Sequence, residues 1–165
     1  MPDTPDHVDR ILAQWARERP DLDASPMAVF GRLSRASLLA SGELRKTFAE
    51  HGLDAGSFDV LATLRRHGDT PLTPSELMRS SMVTSGAVTQ RLDRLESAGL
   101  LERRRGAGDG RTVHVQLTTA GRTLIDRAVA DHVATEHRLL ASLTVAQRAA
   151  LTEGLRALLG ALEAG

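Results

Sequence analysis

The stretch from Thr73 to Thr118 limits what this chain can fold into more than any other. Thr73-Pro74-Ser75-Glu76 is a capping box with proline at the first helical position, so a helix starts there. It is short, because Ser80 and Ser81 compete for their own backbone hydrogen bonds. A second cap stands at Thr84, the run from Ser85 to Ser97 lacks proline, and Gly99 closes the second helix. Two helices joined by about four residues have helix-turn-helix spacing. Next come Leu100 to Arg105 and Arg111 to Leu117, separated by Gly106-Ala107-Gly108-Asp109-Gly110. The second run alternates, with Val113, Val115 and Leu117 on one face and Thr112, His114 and Gln116 on the other. Two strands around a Gly/Asp turn make a β-hairpin. The expected fold is therefore mainly α with one small hairpin, a winged helix-turn-helix. The glycines are no phosphate loop, because Arg111 stands where a third glycine would be and a strand follows instead of a helix.

The second helix has two faces. Val88, Leu92 and Leu95 fall at i, i+4 and i+7 and face inward. Gly86, Gln90, Asp93 and Ser97 point the opposite way, with Ser85 and Thr89 on one shoulder. An ordinary amphipathic helix shows the same period. The outward surface near the N-terminus, however, is small and hydrogen-bonding, which a helix entering a major groove requires. Net charge is formally zero, yet residues 61–112 carry nine arginines against six acidic side chains. The basic excess thus sits on the same segment. The DNA-contact candidates are Thr84, Ser85, Gly86, Thr89, Gln90 and Arg94 on the helix, with Arg105, Asp109 and Arg111 on the wing.

Long helices flank this unit. Val8, Ile11, Leu12 and Trp15 predict a helix from about residue 5 to 19, ended by Pro20. Ser25-Pro26 opens a longer one to Gly52, with an apolar stripe through Phe30, Leu33, Ser37, Leu44 and Phe48. Asp54 caps the next, whose Phe58, Leu61 and Leu64 point inward. After the wing, Thr118 opens a helix to about Ser142. A capping box at Thr144-Val145-Ala146-Gln147 starts a last helix with Leu151, Leu155, Leu158 and Leu162 on one face. That stripe packs either inside its own protomer or, the favoured reading, across a homodimer. The organisation expected is a single domain, residues 1–165, with dimerisation helices at 5–52 and 118–165 around a winged helix at 54–117.

Chemistry is not indicated. The chain has no cysteine, His132 and His137 are badly spaced for chelation, and no metalloprotease, hydrolase or phosphate-loop motif occurs. We expect no enzyme, metal or cofactor. An acidic N-terminus without an apolar signal core, and no apolar run near ~20 residues, lead us to expect a cytoplasmic protein with no membrane partner.

The chain resembles the MarR family of transcription regulators. The resemblance rests on Leu92-Asp93-Arg94-Leu95-Glu96, Gly99-Leu100-Leu101-Glu102-Arg103, Asp109-Gly110-Arg111 and Leu117-Thr118 with Gly121. It implies a homodimer on double-stranded DNA. Further residues stand out: Trp15, Arg19 one turn later, Asp59 after Phe58, Arg91 on the boundary of the second helix, and Arg103. Singly, each has an ordinary structural reading: Trp15 as a core plug, Arg91 with Asp59 as an ion pair, Arg19 as a solvated helix end. Together they resemble the urate-responsive branch of the family, which has an extra N-terminal helix. That resemblance implies an effector site formed by Trp15, Arg19, Asp59, Arg91 and Arg103 for a small anion such as urate, citrate or aconitate. The alternative is the same fold answering to a phenolic or apolar effector, or to none.

Overall fold

The computed structural model describes residues 4–81, 88–105 and 112–165. The chain divides into two compact units, Met1–Glu43 and Leu44–Gly165.

In the first unit, helix α1 (His7–Glu18) is capped by Asp6, whose carboxylate accepts the Val8 and Asp9 N–H groups. Asp9 returns the bond to the Asp6 N–H at 2.9 Å, so the box is built from two aspartates. Helix α2 (Pro26–Glu50) presents Arg32 to both carboxylates, at 2.9 Å and 2.6 Å. Val8 is buried against Gly31, where an added Cβ would lie 3.0 Å from a Val8 methyl. The stripe along α2, read as belonging to a dimerisation helix, is mostly uncovered within this chain. Phe30 is 50% exposed, Leu33, Leu38 and Leu39 are exposed too, and only Thr47 and Phe48 of the helix are buried. Periodicity marks a face that will be covered; it does not say by which chain.

The second unit is built on α3 (Ala55–Arg66). Phe58, Leu61 and Leu64 point inward as expected, and Val60 and Thr63 are buried as well, so α3 is covered on nearly every side. Asp54 caps it, accepting the Ser57 N–H at 2.7 Å. Helix α4 (Pro74–Ser80) starts from the expected box: Glu76 accepts the Thr73 N–H at 2.8 Å and Thr73 Oγ1 accepts the Glu76 N–H at 3.3 Å. Helix α5 is described over Val88–Ser97. The start expected at Thr84-Ser85 lies outside the described residues. Gly99 ends the helix with φ +70°, the left-handed conformation that favours glycine. Strands β1 (Leu101–Arg105) and β2 (Val113–Leu117) pair antiparallel, Leu101 opposite Leu117 and Arg103 opposite Val115. The turn expected at 106–110 lies outside the described residues. Leu72 adds a one-residue bridge to Val115, with reciprocal bonds of 3.1 Å and 2.7 Å, which ties the segment before α4 to the wing.

Helix α6 (Thr119–Leu139) is capped by Thr118, whose hydroxyl accepts the Gly121 N–H and donates to the Gly99 carbonyl at 2.6 Å. The end of α2 from Leu44 on belongs to this second unit, and there Phe48 stacks on Phe58 and His132, with ring centroids 4.2 Å apart for the phenylalanines. Helix α7 (Val145–Glu163) follows its Thr144/Gln147 box as expected, yet it buries none of its residues. Leu151 and Leu162 of its stripe are exposed, the latter by 63%, and Leu155 and Leu158 are half-buried. Among the described residues no helix is long and apolar enough to cross a membrane.

Gly121 is a packing requirement. A Cβ there would stand 1.8 Å from the Leu100 carbonyl oxygen, a backbone atom that cannot swing away. Gly121→Ala should cost at least about 1–3 kcal/mol, by analogy with overpacked cores. A urea midpoint equal to that of the wild type would show that the α6 entry yields without strain.

Candidate nucleic-acid interface

Three elements position the surface of α5. Leu92 (1% exposed) and Leu95 anchor the helix in the core, with Val88 half-buried beside them. Thr89, Gln90, Asp93, Arg94 and Ser97 are consequently exposed, as the 100° rotation per residue requires. Of the DNA-contact candidates, Thr89, Gln90, Arg94 and Arg105 are exposed on α5 and β1. Thr84, Ser85, Gly86, Asp109 and Arg111 lie outside the described residues.

Arg94 Nη1 meets Asp54 Oδ2 at 3.1 Å, and Arg91 Nε stands 3.8 Å from Asp54 Oδ1. The Arg91 side chain is 19% exposed, the boundary position expected for it. Its guanidinium lies on Gly56, where an added Cβ would fall 2.3 Å from Cζ. Pairing was expected with Asp59; the carboxylate set beside Arg91 is that of Asp54, the α3 cap. Asp59 is buried in the middle of α3. The reason is geometric. A side chain reaching back from α5 meets the start of α3, where Gly56 leaves room, and no sequence spacing records that approach. Burial raises the pKa of Asp54, but the Ser57 N–H and hydroxyl together with Arg91 and Arg94 outweigh it, so the carboxyl titrates below its ordinary range.

Arg103 on β1 answers the opposite flank of α5. Its Nη1 meets Asp93 at 2.6 Å and Glu96 at 3.1 Å, its Nη2 reaches the Thr89 carbonyl at 3.4 Å, and its backbone N–H donates to Glu96 at 3.0 Å. Arg103 is also an effector candidate, and its donors are engaged by α5 itself. Next to it Glu102 accepts from Gln116 across the hairpin at 2.6 Å and pairs with Arg104 at 2.7 Å. Those bonds hold the Glu102 carboxyl below its ordinary range.

Trp15 and Arg19 belong to the first unit. Trp15 is 38% exposed rather than plugging a core, and Arg19 grips Asp21 through two bonds of 2.8 Å and 2.7 Å. The residue missed from sequence is Asp54, read only as a cap. A carboxylate cap can serve a second partner with its free oxygen, which is the one signal that was available. His132 bonds Glu136 at 3.2 Å, and among the described residues no group of three His, Cys, Asp or Glu side chains can hold a metal.

Comparison with known proteins agrees with this geometry. A family model described as MarR family matches residues 51–112. The HTH-type transcriptional regulator PecS of Dickeya dadantii is 45% identical over 157 residues, covering 94% of this chain and 92% of that protein. Among solved structures, Bordetella bronchiseptica BpsR, whose DNA binding is regulated by 6-hydroxynicotinic acid, aligns with a TM-score of 0.70 at 26% identity over 79% of this chain and 91% of that one. A MarR family regulator from Streptomyces coelicolor, solved in complex with DNA, has the same fold, with a TM-score of 0.75 at 23% identity over 86% of this chain and 93% of that one. The relatives are transcriptional regulators, not enzymes. A helix anchored by buried leucines, a wing strapped to it and these likenesses lead to one conclusion: the chain belongs to the MarR family and is a DNA-binding transcriptional regulator with a winged helix-turn-helix.

Proposed function

We propose that the protein is a homodimeric repressor that reads a pseudo-palindromic operator and is released from it by a small anion. The observation that carries the DNA half is the exposed Thr89–Gln90 surface on a helix anchored in the core by Leu92 and Leu95. Short polar side chains there let the helix approach base edges closely, with Thr84, Ser85 and Gly86 preceding them in the chain. Arg94, Arg105, Asp109 and Arg111 complete the contact set, the wing arginines on backbone or minor groove.

Two unpartnered apolar surfaces support the dimer. Phe30, Leu33, Leu38 and Leu39 on α2 and Leu151, Leu159 and Leu162 on α7 are exposed in the single chain, and grouped apolar side chains of this kind suit a protein interface. A two-fold dimer places two reading helices on half-sites about one helical turn, ~10 bp, apart. For the effector we propose Trp15, Arg19, Asp59, Arg91 and Arg103, acting on urate, citrate or aconitate. The ligand named for BpsR, a ring bearing a carboxylate, supports the planar or carboxylated class. A ligand releases DNA only by binding the two conformations with different affinity, and a coupling of about 1–3 kcal/mol is typical.

Base reading and backbone contact separate cleanly. Gln90→Ala should cost about 1–3 kcal/mol at the cognate site and relax its base preference. Arg111→Ala should weaken cognate and unrelated duplexes alike and reduce the salt slope by about one unit. Exchanged behaviours would reverse the assignment of helix to bases and wing to backbone.

The effector reading has its own test. Trp15 is the sole tryptophan in a chain without tyrosine, so its emission reports one place. Titration with urate, citrate and aconitate, corrected for absorbance by urate, should perturb that emission for one of them and release DNA in parallel. Arg19→Ala should abolish the response, whereas Asp59→Ala should bind the anion without releasing DNA. Silence of Trp15 at millimolar anion would leave the five residues a structural role only.

A further inference from the structure

The reading helix carries opposite charges on its two flanks, and the surrounding fold answers each in kind. At 100° per residue, Arg91 and Arg94 lie to one side of the buried Leu92–Leu95 stripe and Asp93 and Glu96 to the other. On the arginine flank stands Asp54, 3.1 Å from Arg94 and 3.8 Å from Arg91. On the acidic flank stands Arg103, 2.6 Å from Asp93 and 3.1 Å from Glu96. The two straps come from different elements, the cap of α3 and the first strand of the wing, and both of those elements are seated in the core through Phe58, Leu61 and Leu101.

We infer that Asp54 and Arg103 are positioning residues for base discrimination: together they set the roll of α5 about its axis, and so the direction in which Thr89 and Gln90 point. This rests on the reading that α5 enters the groove. The leucine stripe alone does not set the roll, because apolar contact is non-directional and two leucines with one valine tolerate rotation. Ionic contacts on both flanks resist rotation in either sense. The magnitudes show why this matters for bases in particular. Side-chain tips lie about 5–6 Å from the axis, so a roll of about 10° moves them about 1 Å. A hydrogen bond tolerates only about 0.5 Å. Attraction to phosphates, by contrast, decays over about 8–10 Å at moderate salt and hardly changes. Loosening a strap therefore lowers discrimination between sequences without lowering attraction to DNA in general.

The test compares full-length wild type, Asp54→Asn and Arg103→Gln. Asparagine caps a helix as well as aspartate does, so Asp54→Asn removes the charge and keeps the start of α3. The probes are the 30-bp duplex that wild type selects most tightly from a randomised pool, and a shuffled duplex of the same composition. The ratio of the two affinities is read together with hydrogen exchange of the peptide covering 88–97. We expect the ratio to fall about tenfold in each variant, measured well below its melting temperature, with exchange in 88–97 rising several-fold. An Asp54 that merely dilutes the positive surface would tighten both duplexes equally and leave the ratio and the exchange alone, which would overturn the inference. So would an unchanged ratio in folded Arg103→Gln, which decides alone should Asp54→Asn fail to fold. If wild type selects no sequence, the DNA-reading proposal fails separately, and exchange in 88–97 still decides whether the straps hold the helix.

Discussion

Everything functional here depends on Leu92 and Leu95 being buried. A short helix gains little from its own backbone bonds, because nucleation is costly. Each buried leucine contributes about 1.5–3 kcal/mol, which makes core contact and not propensity the reason α5 exists. That contact leads back to α3, the helix covered on nearly every side. The same anchoring leaves Thr89 and Gln90 no choice but to face outward. Surface for recognition and fixation in the core are thus two consequences of one rotation per residue.

The local part of this arrangement was legible in the chain. Thr73, Thr118 and Thr144 each sit three residues before a group they bond, and Asp54 does likewise, so the helix starts follow from neighbours in sequence. The hairpin register follows from the alternation of Val113, Val115 and Leu117. What escaped is non-local. Arg91 beside Asp54, and Arg103 across from Asp93 and Glu96, depend on how three elements approach each other, and Gly56 matters only because a guanidinium lies on it. Charge alone offered Asp59 for Arg91, and the approach of the Asp54 carboxylate depends on where α5 meets the start of α3. For α2 the period marks the face, but which chain covers its exposed front half is not written in that period.

That exposure and the one on α7 are apolar surface that the single chain leaves uncovered. A chain bearing Phe30, Leu38, Leu39 and Leu162 in water gains by covering them, and in the proposed dimer a symmetric partner would supply the cover. The proposed operator symmetry would then come from the same association that buries these side chains. Assembly and reading would be linked through ordinary apolar burial, without a dedicated coupling device.

The central claim is that α5 lies in the major groove, twice, in one complex. The absence of native cysteine makes it directly testable: Gln90→Cys can carry a single iron-chelate cleavage reagent and nothing else will be labelled. On the selected duplex, cleavage should fall in two clusters about ten base pairs apart, each offset between the strands in the sense of a major-groove source. A single cluster, a minor-groove offset, or cleavage spread evenly along the duplex would contradict it.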